Sequence, residues 1–151
     1  MLRTELKDAL KEAMRKKDSQ TIGTVRLILA ALKDRDIQAR SQGNSDGISD
    51  DEVLDMLGRM VKQRRESIAL YEQGKRQDLA DREAGEIQVI GRFLPQPFGE
   101  EETETAIAEV MTTLEASSIK DMGKVMGELK ARYPGRMDFG KVSALVKQKL
   151  S

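Results

Sequence analysis

An all-α protein is predicted, with a four-helix N-terminal lobe followed by a smaller three-helix lobe, on three observations. Apolar residues recur at three- and four-residue spacing through every long segment, the period of a helix face packed on a core. Ser, Asp, Gly and Pro stand between those segments, where caps and turns need them. No stretch alternates apolar and polar residues as a half-buried strand does. With 151 residues the chain is long enough to bury a core unaided.

The first helix carries Leu2, Leu6, Ala9, Leu10 and Ala13 on one stripe, and Lys16, Lys17 and Asp18 end it. The second, near Thr21 to Arg40, repeats the pattern with Ile22, Val25, Leu29 and Leu32; Leu27, Ile28 and Ala31 widen its apolar face. Arg26 interrupts that stretch, and burial there would require a carboxylate such as Glu83 or Glu86. The polar run SQGNSDG is an exposed loop. Ser49 with Glu52 opens the third helix as a capping box, and its stripe of Val53, Leu57, Met60, Val61, Ile68 and Tyr71 has Arg64 where another apolar residue is expected. Gly74 stops it. Asp78 caps a fourth helix that runs to Arg92.

In FLPQPFG, Pro95 and Pro97 forbid a continuing helix, which places the boundary between lobes 1–94 and 95–151 there. Three shorter helices follow, Glu100 to Ala116, Lys120 to Tyr133 and Phe139 to Leu150, with Ser118 and Asp121 as a second capping box and Asp138 as the last cap. Their apolar faces, led by Ile107 and Val110, Val125 and Leu129, and Val142 and Val146, suit a three-helix unit.

Lysine plus arginine and aspartate plus glutamate both total 26, so attraction to a polyanion must come from a local patch. Charge is uneven: Gly99 to Ser117 holds six carboxylates and no cation, whereas Ser118 to Ser151 holds eight cations and three carboxylates. With three Phe, two Tyr and no Trp, a base-stacking platform is disfavoured. The absence of cysteine and of an apolar leader, together with the lack of a membrane-spanning run, leads to the expectation of a soluble cytoplasmic protein with no membrane partner.

No catalytic residue set is legible, since both His and Cys are missing. The clusters Asp50, Asp51, Glu52, Asp55 and Glu100, Glu101, Glu102, Glu104 are first-turn carboxylates that suit the helix dipole, so no metal is expected. Gly-Lys occurs at 74–75, 123–124 and 140–141, but none completes a P-loop, and no small-molecule cofactor is expected. Gly123-Lys124 and Gly140-Lys141 lie in first helical turns, where free N–H groups favour an anion. Gly123 and Gly127, four apart, equally suit close helix packing. The run Arg59, Lys62, Arg64, Arg65, Glu66 is read as the wet face of the third helix.

The segments TVRLILAALKDRDI and VKQRRESIALYEQGKRQDLADREAGEIQVIGRFLPQP resemble the N-terminal signature of YqeY proteins. DMGKVMGELKARYPGRMDFGKVSALVKQKL resembles the domain that YqeY shares with the C-terminus of GatB, so the chain is similar to the GatB/YqeY family nearly end to end. The resemblance implies an all-helical fold with a GatB-tail-like C-terminal lobe and, as partner, tRNA or a tRNA-handling protein complex. It also implies kinship to a tRNA-dependent amidotransferase, a carbon-nitrogen ligase with glutamine as amido-N donor. GatB's catalytic body has no counterpart in this sequence. On that resemblance Lys124, Lys130, Arg132, Arg136 and Lys141 form a candidate tRNA or phosphate-binding patch. The alternative function is that of a protein interaction adaptor with no RNA role.

Overall fold

Seven α-helices and one short 3₁₀ turn make up the regular structure of the computed structural model, which describes residues 1–151 and contains no strand. The helices are α1 (Leu2–Lys16), α2 (Ser19–Ser41), α3 (Asp50–Gln73), α4 (Gln77–Gly91), α5 (Glu100–Thr113), α6 (Met122–Arg132) and α7 (Phe139–Leu150). The chain divides into two compact units, Met1–Pro95 and Gln96–Ser151.

In the first unit, α1 packs on α2, and α4 packs on both α2 and α3. Leu6, Ile28, Leu32, Val53, Leu57, Met60 and Ile90 fill the core between them. The polar starts of the helices are set locally. Asp18 accepts the Thr21 amide at 3.2 Å and the Thr21 hydroxyl at 2.6 Å, so it caps α2 rather than ending α1. Ser49 accepts the Glu52 amide at 3.2 Å and caps α3.

Three helices end on a residue other than glycine in the left-handed region: Lys17 at φ 57°, Lys75 at φ 58° and Glu115 at φ 52°. Behind each, the next amide returns to a carbonyl of the last turn, as Asp18 N–H does to Ala13, Arg76 N–H to Tyr71 and Ala116 N–H to Met111. Gly74, expected to stop α3, has φ −82°, and the reversal falls on Lys75. Asp78 does not cap α4; the helix begins at Gln77 and Asp78 pairs with Arg76 at 3.1 Å.

Two ion pairs join helices of the first unit. Arg3 of α1 meets Asp36 of α2 through both guanidinium nitrogens and also donates to the Ile48 carbonyl at 2.8 Å, while Ile48 N–H returns to Asp36 at 2.9 Å. Hydrogen bonding from Arg3, and then from Ile48, holds the Asp36 carboxyl below the usual range. Gly47, at φ 88°, holds a conformation that favours glycine, and a Cβ there would lie 2.7 Å from an Asp36 carboxylate oxygen and 2.8 Å from Arg3, so it would push the ion pair aside.

The second pair corrects an expectation. Arg26 is exposed and needs no carboxylate, and of the two candidates for it, Glu83 and Glu86, Glu86 is taken by Arg64 at 2.9 Å, with side chains only 14% and 19% exposed. Arg64 also donates to the Met60 carbonyl at 3.1 Å. The unusual arginine in the α3 stripe is thus the bridging one. The second helix, apolar almost all round, turns Arg26 and Leu27 outward.

In the second unit, Ile107, Val110, Val125, Leu129, Val142, Val146 and Leu150 form a core shared by α5, α6 and α7. α5 stops at Thr113, short of the expected Ala116, because Glu115 reverses the chain. The extended segment ahead of α5 is tied down by Phe98, whose ring lies 5.1 Å from that of Tyr133 and whose N–H donates to the Arg136 carbonyl at 2.9 Å. Arg136 in turn places its guanidinium 4.2 Å from the Phe98 centroid and donates to the Gln96 carbonyl at 3.1 Å.

Candidate nucleic-acid interface

The five cations of the candidate patch lie on α6, α7 and the turn between them, all within the second unit. They divide by what already holds them. Arg132 is bound to Glu128, one turn back on α6, at 2.7 Å, and Arg136 is folded onto Phe98 and Gln96. Lys124, Lys130 and Lys141 are exposed and form no ion pair; Lys130 lies 6.0 Å from the centroid of Phe139.

The outer side of α6 follows from its buried one. Val125 and Leu129 point into the core, which turns Gly123 and Gly127 to the opposite pole, with Lys124 and Lys130 at its two edges. Nothing lies within 4 Å of a Cβ placed at Gly123 or Gly127. These glycines therefore do not serve close packing inside the unit. They leave a bare strip of helix between cations. Lys120, one turn before Lys124 and also exposed, joins this face and was detectable from that spacing.

The two Gly-Lys helix starts differ: a side chain caps the first amides of α7, whereas the carboxylate at the start of α6 turns back to the segment before the helix. Asp121 accepts the amides of Ser117 at 2.9 Å and Ser118 at 3.2 Å, and these two bonds hold its carboxyl below the usual range. The Ser118 hydroxyl completes that capping box. At α7, Asp138 accepts from Gly140 at 3.0 Å and Lys141 at 3.4 Å. An anion at either end therefore meets a carboxylate, Asp138 on the α7 amides themselves and Asp121 at the first residue before α6. What remains for it is the lysine side chains, which act as mobile point charges. No three carboxylates elsewhere converge as metal ligands would.

The family model for Yqey-like protein matches residues 3–150. The chain belongs to that family. Its relatives include yeast proteins named "Altered inheritance of mitochondria protein 41, mitochondrial". The one from Kluyveromyces lactis is 33% identical over 139 residues, covering 83% of this chain and 72% of the relative. Those from Candida glabrata and Lachancea thermotolerans are 34% and 30% identical and cover 74% and 75% of this chain. The aligned stretch spans 61% and 59% of those two relatives' own lengths.

These relatives overturn the cytoplasmic expectation, since their names place them in mitochondria. The absences behind that expectation carry little weight. A mitochondrial targeting segment is amphipathic rather than apolar, so a missing apolar leader does not bear on it. No helix of this YqeY-family chain is long and apolar enough to cross a membrane.

Proposed function

We propose that this YqeY-family protein is an accessory module that holds tRNA through its backbone, with residues 95–151 as the gripping part and residues 1–94 as a lobe that docks elsewhere. One observation carries the reading: Lys124, Lys130 and Lys141 are exposed and unpaired, and two of them edge a strip of α6 that bears no side chain at Gly123 and Gly127. A helix face without bulk lets a phosphate backbone come close while the lysines reach it from either side. Such contacts position RNA and do not read its sequence. The likeness of residues 121–150 to the GatB tail supports the same choice of ligand.

The test is retention of total tRNA by the full-length protein at two salt concentrations. Three phosphate contacts predict a loss of about 40-fold between about 50 and about 200 mM salt. Lys124→Glu with Lys141→Glu should abolish retention while circular dichroism stays helical. Retention unchanged in that variant, or no retention by the folded wild type, overturns the proposal.

A further inference from the structure

We propose that the outer face of α2 is a docking strip for a partner's amphipathic helix with an acidic edge. The inner side of α2 is accounted for by Thr21, Thr24, Val25, Ile28 and Leu32, all buried in the first unit. On the opposite side Leu27, Ala30, Asp34 and Ile37 recur at alternating three- and four-residue spacing, and all are exposed, Leu27 by 47% and Ile37 by 54%. Gly23 and Ser41 extend the row at both ends, and no atom lies within 4 Å of a Cβ at Gly23. The row runs about 27 Å along the helix. A helix packed on one side needs no second apolar stripe. This one has the average period of 3.5 residues that lets two helices follow one another.

Its edges identify the occupant. Arg26, Lys33 and Arg40, each seven residues from the next, line one edge; all are exposed and none forms an ion pair. The other edge carries Ala31 and Gln38, which are neutral. A second copy of the chain does not complement this pattern. Paired antiparallel, it sets the cationic row against itself; paired parallel, it offers Ala31 and Gln38. Nucleic acid suits the cations but not Leu27 and Ile37, and no aromatic residue on the strip could stack a base. A helix with leucine-type residues facing the strip and glutamates along the cationic edge satisfies both features. Asp34, set in the apolar row, then requires a lysine opposite and fixes the register. With two large apolar residues in the seam, the contact falls among weak, transient interfaces.

The probe is a labelled helical peptide of about four heptads with a leucine seam, one seam lysine and glutamate at both flanking positions. Its control has lysine at the flanks. Fluorescence anisotropy with the full-length protein should show binding of the glutamate peptide alone. Leu27→Ser with Ile37→Ser should weaken it about tenfold or more, and Arg26→Glu with Lys33→Glu should transfer the preference to the lysine peptide. Absence of binding, equal binding of both peptides, or binding that neither variant changes overturns the proposal. So does a dimer in sedimentation that Ile37→Ser dissociates, which assigns the strip to a second copy. RNA retention lost in the charge-reversed variant but kept in the serine variant overturns it in favour of nucleic acid.

Discussion

The two units differ in how distant segments are tied together. In the first, arginine-carboxylate pairs join different helices: Arg3 with Asp36 ties α1 to α2, and Arg64 with Glu86 ties α3 to α4. In the second, the one ion pair, Arg132 with Glu128, is a local bond along α6, and the cross-chain tie is the aromatic and guanidinium contact of Phe98, Tyr133 and Arg136. Where a fold has committed its charges to its own elements, they are lost to a partner. The lysines of the second unit and the α2 cations Arg26, Lys33 and Arg40 are not so committed.

The contrast can be broken or sharpened by substitution. The largest effect is expected for Leu129→Ala, which empties the centre of the second core and should cost about 3 kcal/mol in chemical denaturation. A loss equal to that of an exposed residue would show that the second unit is held by its strap instead. Next, Glu86→Ala leaves Arg64 half-buried with only the Met60 carbonyl, and should cost about 2 kcal/mol. Arg64→Met combined with Glu86→Leu should recover most of it, since an apolar pair of similar volume needs no desolvation. Failure of the double variant would mean that the pair contributes more than it costs to bury.

A smaller effect, about 1 kcal/mol, is expected for Asp36→Asn, which weakens the bonds with Arg3 and Ile48. Its pH dependence has a definite sign. A carboxyl held below its ordinary value, as Asp36 is by Arg3, contributes stability that is fully present above about pH 4 and is lost as pH falls through the lower folded value. The gap between Asp36→Asn and wild type in acid unfolding should therefore close below about pH 4. The smallest change is a gain: Lys75→Gly relieves a left-handed helix end and should stabilise the protein by about 0.5 kcal/mol in thermal melts.

How legible these features were depended on whether they are local. The starts of α3 and α7 follow from Ser49 and Asp138, whose side chains act within three residues, so the sequence suffices to find them. The partner of Glu86 depends on which side of α2 faces the core. TVRLILAAL is apolar nearly all round, and its periodicity does not distinguish one pole from the other. Arg64 stands out as a break in a clear stripe, yet the pattern offers Glu83 or Glu86 to Arg26, on the helix where the stripe is blurred. Helix ends were misplaced for a related reason: glycine marks reversal only when it is the residue that reverses, and here Lys75 and Glu115 do so. In the candidate interface the lysines are visible, and the pairing of Arg132 with Glu128 follows from their four-residue spacing, but the employment of Arg136 does not, because it meets residues about forty positions away.

That last contact has a mechanical consequence. Arg136 donates to the Gln96 carbonyl and accepts from Phe98 N–H, closing the chain into a ring that encloses α5 and α6. A pull applied at Pro95 therefore does not peel α5 away one turn at a time. The load passes across the closure to the turn before α7, so force reaches the second unit at its middle before it reaches its end.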